Sequence, residues 1–156
     1  MRALVQRVTH ATVTIVDGTA GTLPAEPPHS IGQGLVVLLG VGKDDGTEQA
    51  EKLWRKISRL RIFADESGKT NRALADIGGE VMIVSQFTLY ANCKKGNRPS
   101  FTQAGAPDAA LELFRFFVSL AQAEVPRVAA GEFGADMRVE LENDGPFTIW
   151  LDTDAL

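Results

Sequence analysis

Apolar and polar positions recur along this chain with periods that change from segment to segment. One apolar run, Val81-Met82-Ile83-Val84, is entered from Gly78-Gly79 and predicts a buried strand. Polar side chains then interrupt it: Ser85, Gln86 and Thr88 flank Phe87 at the strand end, where an interior gives way to a surface. Residues there can be held rigidly and still reach a ligand, although ordinary capping hydroxyls would look the same. Leu35-Val36-Val37-Leu38-Leu39-Gly40-Val41 is a second continuous run and predicts a central strand covered on both faces. Elsewhere the period is two. Residues 2–8 place Leu4, Gln6 and Val8 on one face and Ala3, Val5 and Arg7 on the other; residues 11–16 set Ala11, Val13 and Ile15 against Thr12 and Thr14. Thr9-His10 between them predicts a short turn. Met137, Val139 and Leu141 alternate with Arg138, Glu140 and Glu142; Asn143-Asp144-Gly145-Pro146 predicts a tight turn, and residues 147–151 a last strand. Helical spacing links Ala50, Leu53, Trp54, Ile57 and Leu60, opened by Asp45 and Glu48. A second helix carries Leu111, Phe114, Val118 and Ala121, with Pro107 at its first position and Pro126 closing it.

The remaining segments are loops. Residues 17–34 contain too many prolines and glycines for a regular element, and His29 within them is expected to be solvated. Lys94-Lys95-Gly96-Asn97-Arg98-Pro99 is a basic, turn-rich loop just beyond the polar strand end, a pairing that suggests an anionic ligand. Arg7, on an otherwise apolar face, is either an edge-strand charge or a buried guanidinium bracing a loop through several donors. Phe133, in a loop of small residues, is either core or a stacking platform for a base. Lys52, Arg55, Lys56 and Arg59 are most simply the solvated face of the first helix.

Composition narrows the class. A length of 156 residues predicts a single domain, 1–156, large enough to bury a core without staples. With 44% hydrophobic and 23% charged residues it has the balance of a soluble globular chain. The formal net charge of −4 gives no global attraction to nucleic acid, so any phosphate contact has to be local. One cysteine, Cys93, excludes an internal disulfide and a cysteine-rich zinc site. No signal peptide and no apolar run of membrane-spanning length is present, so a cytoplasmic protein is expected.

Chemistry is then met by elimination. The two histidines have no metal-ligand spacing with carboxylates, so no metal site is expected. No nucleophile motif surrounds Cys93, and neither a Walker loop nor a dinucleotide fingerprint occurs. An enzyme built from this chain would lack the usual base. It would borrow one, or work by positioning and backbone hydrogen bonds.

Five segments carry a family resemblance: residues 1–8, Ser85-Gln86-Phe87-Thr88-Leu89, Gly96-Asn97-Arg98-Pro99-Ser100-Phe101, Phe133-Gly134-Ala135-Asp136-Met137 and Asn143-Asp144-Gly145-Pro146. Together, in that order and nearly end to end, they resemble D-aminoacyl-tRNA deacylases. The segment around residues 19–30 is longer and richer in proline than the family pattern. The resemblance implies an α/β chain of antiparallel-rich, barrel-like sheets with two main helices, in keeping with the elements above. It implies hydrolysis of the ester joining a D-amino acid, or glycine, to the terminal adenosine of tRNA, with rejection of L-substrates and no cofactor. It implies a homodimer in which a cis Gly145-Pro146 turn enters the partner's active site; Arg7 is the candidate for holding this turn. Ser85, Gln86, Phe87 and Thr88 become the catalytic segment, Phe133 an adenine contact, and Lys94, Lys95 and Arg98 tRNA contacts. Thr88 stands where the family's nucleophile has been proposed. No base beside it can be named from sequence, so assistance by the adenosine 2′-hydroxyl, with N–H groups near Phe87 and Thr88 polarising the ester, is the alternative. Two other readings stay open: a tRNA-binding module without catalysis, and an esterase of free D-amino acid derivatives.

Overall fold

The computed structural model describes residues 1–16 and 29–156. Its strands are β1 (Arg2–Val16), β2 (His29–Ile31), β3 (Gly34–Gly40), β4 (Phe63–Ala64), β5 (Thr70–Arg72), β6 (Glu80–Ser85), β7 (Val128–Ala130) and β8 (Asp136–Asp152). Its helices are α1 (Thr47–Ser58) and α2 (Pro107–Glu124), with short 3₁₀ turns at Ala75–Ile77, Phe87–Tyr90 and Thr153–Ala155. β1 organises the sheet. One edge pairs antiparallel with β3 over residues 2–8 and with β2 over residues 11–13; the other pairs antiparallel with β8. β3, β6 and β7 continue the sheet in parallel, and β4 and β5 form a separate two-stranded ribbon. The result is a mixed sheet nearly closed into a barrel, with two helices against it. Among the described residues no helix is long and apolar enough to cross a membrane.

Alternation on β3 and β6 divides the core in two. Leu35, Val37, Leu39, Val81 and Ile83 join Leu53, Trp54, Ile57, Phe114 and Phe117 between sheet and helices. Val36, Met82 and Val84 face the other way, against Val8, Ala11, Val13 and Ile31. Both strands therefore read as continuous apolar runs, as the sequence predicts, because both faces are covered. Trp54 of α1 meets Phe117 of α2 edge to face, with centroids 5.8 Å apart.

Several expectations change. No turn occurs at Thr9-His10: β1 runs through it, and the pairing with β8 shifts between Gln6 and Val8 and again between Val8 and His10. These shifts move the buried set from Ala3 and Val5 to Val8, then to Ala11, Val13 and Ile15, and so take Arg7 out of the apolar series. Asn143-Asp144-Gly145-Pro146 is not a hairpin between two strands. β8 is one strand, and with Asn143 opposite Val8 and Thr148 opposite Gln6, residues 144–147 bulge out beside Arg7. The N-cap of α1 is Gly46, whose N–H donates to Gln49 Oε1 at 2.9 Å; Asp45 is engaged elsewhere. α2 buries Ala110, Phe114, Phe117 and Ala121, so the stripe is turned toward Phe117, and Leu111 and Val118 are only half-buried. Both stripes satisfy helical spacing, and burying the larger Phe117 ring removes more apolar surface from water. His29 is half-buried and opens β2 opposite Val13. Residues 17–28 of the proline- and glycine-rich segment 17–34 lie outside the described residues.

Fully buried Phe117 should be costly to truncate. Phe117→Ala is expected to lose ~3–5 kcal/mol in urea unfolding and half-buried Leu111→Ala about 1 kcal/mol. Equal losses would contradict the placement of the stripe.

Candidate active site

β3 and β6 are parallel and end at the same edge of the sheet, where the chain leaves each strand and a crevice can open. A cleft of about 650 Å³ lies there. Ser85, Gln86 and Phe87 line it from the end of β6, Phe101, Pro107 and Phe114 from the approach to α2 and its first turns, Phe133 and Gly134 from the β7–β8 connection, and Met137 from the start of β8. Asp136 is the one charged side chain of this lining.

The polar strand end is shaped by backbone contacts. Gln86 N–H still donates to Leu39 C=O at 2.7 Å, and the chain then tightens into the 3₁₀ turn Phe87–Tyr90. This turn packs directly on β3 at Gly40, where a Cβ would lie 3.1 Å from both Gln86 O and Leu89 Cβ. Arg2 clamps it: Nη1 donates to Leu89 C=O at 3.0 Å, Nε pairs with Asp152 at 2.8 Å, and the guanidinium lies 4.3 Å from the centre of the Tyr90 ring. Tyr90 Oη donates to Asp45 Oδ2 at 3.2 Å, and the other carboxylate oxygen accepts from the Met1 ammonium at 2.6 Å. Burial, then the charge of Asp45, push the Tyr90 phenol far above its ordinary range, so it remains a donor at any physiological pH.

At the start of a helical turn the first N–H groups have no acceptor within the turn. Those of Phe87 and Thr88 have no partner among the described residues; Phe87 lines the cleft and Thr88 adjoins it in the chain. Thr88 is exposed, and its hydroxyl accepts from Gln86 Nε2, an amide that cannot take a proton. Phe87, 57% exposed, packs edge to face on Phe101 at 4.9 Å. Phe133 combines both of its expected roles: its ring is 5.9 Å from that of core residue Phe114, and it lines the cleft.

The basic loop stands beside the rim. An isolated bridge between Asn92 and Ser100 closes it, one residue before Phe101, and Lys94, Lys95 and Arg98 are all exposed.

Arg7, Gly145 and Pro146 form a second group, and none of them lines the cleft. The Arg7 side chain is 12% exposed; Nε reaches the Asp144 C=O at 3.0 Å and carboxylate at 3.1 Å, and Nη1 donates to Ile62 C=O. The guanidinium also lies 4.9 Å from the Phe147 ring centre. Of its two expected roles, the bracing guanidinium is the one realised. Asn143 spans the bulge as well, accepting from Phe147 N–H at 2.6 Å and donating to Thr148 Oγ1 at 2.9 Å. The Gly145–Pro146 peptide is cis, as the resemblance implies, and Gly145 has φ +133°. A Cβ on Gly145 would sit 3.0 Å from Arg7 Nη2. Both residues of the dipeptide are exposed.

The structure thus brings Ser85, Gln86, Phe87 and Phe133 to one cleft with Thr88 adjoining, and sets Arg7, Gly145 and Pro146 apart. Sequence reasoning missed Phe101, Asp136 and the Arg2–Tyr90–Asp45 clamp. Phe101 and Asp136 lay within recognised motifs without an assigned part, and Asp45 carried a capping signal that led elsewhere. Among the described residues no group of three or more potential metal ligands occurs.

The chain is similar to several known proteins along its length. A family model described as D-Tyr-tRNA(Tyr) deacylase matches residues 4–152. A protein named D-aminoacyl-tRNA deacylase from Pseudoalteromonas translucida is 54% identical, over 97% of this chain and 99% of its own. One of the same name from Bifidobacterium adolescentis is 49% identical over 100% of this chain and 99% of its own. Among solved structures, the c-Myc DNA Unwinding Element Binding Protein superposes with a TM-score of 0.85 at 40% identity, over 97% of this chain and 98% of that one. A probable eukaryotic D-amino acid tRNA deacylase shares the fold, with a TM-score of 0.80 at 17% identity over 96% and 97% of the two chains. With a family match from residue 4 to residue 152 and about half its residues shared with curated members along the whole length, the chain belongs to the D-Tyr-tRNA(Tyr) deacylase family.

Proposed function

We propose that the cleft hydrolyses the ester of D-aminoacyl-tRNA, and of glycyl-tRNA, to free amino acid and tRNA. The observation that carries this reading is the pair of N–H groups of Phe87 and Thr88, without partners among the described residues, on a turn that enters an aromatic cleft at Phe87 and is held through Leu39, Arg2 and Tyr90. Such donors polarise an ester carbonyl and stabilise the oxyanion formed when water adds. The C–O bond to the ribose then breaks, and the ribose oxygen leaves with a proton. No side-chain base contacts Thr88 among the described residues, so the base is supplied by the substrate: the 2′-hydroxyl of the terminal adenosine adjoins the ester and assists proton transfer. Gln86 holds the Thr88 side chain and Ser85 completes the polar strand end. Phe133, with Phe87 and Phe101 nearby, offers apolar faces for adenine. Lys94, Lys95 and Arg98 meet phosphates at the rim.

Handedness is assigned to the second group. D- and L-amino acids differ by exchange of hydrogen and side chain at one carbon, and a site that accepts many D-residues needs a wall where an L side chain would point. Backbone makes a rigid wall, and Gly145, lacking Cβ, lets it approach closely. Because the bulge is exposed and does not line the cleft of its own chain, it serves the cleft of a partner in a homodimer. Glycine passes because it has no side chain to exclude. A cytoplasmic location follows from the substrate.

Matched D- and L-aminoacyl-tRNA is the direct test: D-substrate should be cleaved and L-substrate spared. Efficient L-cleavage would refute the assignment of Gly145 and Pro146. Failure to cleave D-aminoacyl-tRNA would leave a tRNA-binding module, and cleavage of a D-amino acid methyl ester in preference to tRNA would point to a small-molecule esterase. Thr88→Ala should slow single turnovers less than about tenfold, where loss of a covalent nucleophile would cost several orders of magnitude. Substrate ending in 2′-deoxyadenosine should resist; a normal rate on it would falsify RNA assistance. Replacing Lys94 and Lys95 together by Ala should weaken tRNA binding and flatten its dependence on salt.

A further inference from the structure

The outer face of α1 forms a second concavity, a groove of about 520 Å³ lined by Lys52, Arg55, Lys56, Arg59 and Arg61 over an apolar floor of Leu60 and Leu156. No aspartate or glutamate lines it. In a chain of formal charge −4 this is a local inversion of sign. Residues 52, 55, 56 and 59 follow the i, i+3, i+4, i+7 spacing that stacks side chains on one helix face. Two of the five cations are anchored by backbone acceptors: Lys52 Nζ donates to Thr153 C=O at 3.0 Å and Arg61 Nε to Asn71 C=O at 2.8 Å. Arg55, Lys56 and Arg59 are exposed and have no partner among the described residues. Three unpaired cations held at a concave surface suit a polyanion better than a lone carboxylate, which they would over-neutralise.

Topology ties this groove to the cleft. Val41 lines the cleft, Gly42 bridges to Ala104 on its wall, and Asp45, holding Tyr90, precedes the first turn of α1. α1 therefore starts at the cleft edge, and Lys52 to Arg59 spread over about 10 Å of helix beyond it. A strand whose 3′ end occupies the cleft and that follows α1 would bring successive phosphates past the cations.

We infer that the α1 groove binds the phosphodiester backbone of the tRNA that delivers its 3′ end to the cleft, as a second contact separate from Lys94 and Lys95. The inference rests on the proposed tRNA substrate and adds where the body of that RNA is held. Its chemistry is that of phosphate positioning: charge-assisted contacts to the backbone, indifferent to base sequence and sensitive to salt.

The test uses the double variant Lys56→Ala, Arg59→Ala in the full chain. Both positions are exposed and alanine favours helix, so folding should be kept, as an unchanged melting temperature would verify. Binding of uncharged tRNA is measured by fluorescence anisotropy across a salt series, and hydrolysis is measured with D-aminoacyl-tRNA and with D-aminoacyl-adenosine. The variant should bind tRNA on the order of tenfold more weakly, with a log Kd against log salt slope shallower by about 1–2. It should raise KM for D-aminoacyl-tRNA without changing kcat, and leave D-aminoacyl-adenosine cleavage as it was. The charge-keeping variant Lys56→Arg, Arg59→Lys should restore both. Unchanged affinity and slope would overturn the groove assignment while leaving the hydrolase reading intact, and so would equal losses on both hydrolytic substrates. A native protein that binds tRNA with the expected groove dependence yet cleaves neither substrate would keep the groove and reject the hydrolase.

Discussion

A strand as long as β1 can keep one face dry only if its apolar residues hold a period of two, and Arg7 breaks that period. The side-chain period of a strand leaves two choices at such a residue: bury a charge, or slip the register. This protein slips. β8 opposes β1 from end to end, yet residues 144–147 leave the ladder beside Arg7. The guanidinium then occupies the vacated ground, donating to the carbonyls of Asp144 and Ile62. One arginine thus stands at the register shift and scaffolds the bulge. Removing it would strip the extruded segment of its contacts to β1 and to the residues before β4 together, and leave two partly buried carbonyls without this donor.

The cleft depends on a different economy. β3 and β6 are buried on both faces and cannot carry polar groups until they end. Where β6 ends, the chain exchanges ladder hydrogen bonds for a 3₁₀ turn, and that exchange frees two N–H groups. Rigidity at such a place has to be imported. It comes from Gly40, which lets the turn sit against β3, and from Arg2 and Asp45, which tie the turn to one end of the β1–β8 pair, where Met1 and Asp152 meet, and to the start of α1.

Much of this was legible in the sequence. Two uninterrupted apolar runs identified the central strands, Pro107 marked the start of α2, and the misfit of Arg7 among apolar neighbours pointed to a bracing role. What the sequence concealed has physical causes. A bulge and a turn use the same residues, so Asn143-Asp144-Gly145-Pro146 carries every signal of a hairpin while lying within one strand. Thr9-His10 looks like a break because the register shift changes the period there without ending the strand. Two equally spaced stripes exist on α2, and only the partner surface, Trp54 included, decides that Phe117 is the one buried. Asp45 has the side chain of a helix cap but is drawn to the Met1 ammonium and Tyr90, contacts distant in sequence that no local pattern encodes.

The composition of the cleft wall has a consequence for how such a site responds to its medium. Its described lining contains no histidine, cysteine, lysine or tyrosine, and its polar equipment is amide, hydroxyl and backbone, with a single carboxylate at Asp136. The groups that change charge in proteins between about pH 5 and pH 8 are chiefly histidines. A wall without one holds the same hydrogen-bonding pattern through shifts in cellular acidity, and Cys93, though exposed, lies outside the lining. The donor pattern of such a wall is insulated from cellular acidity, and the Met137 thioether is the one sulfur of the lining that an oxidant could reach.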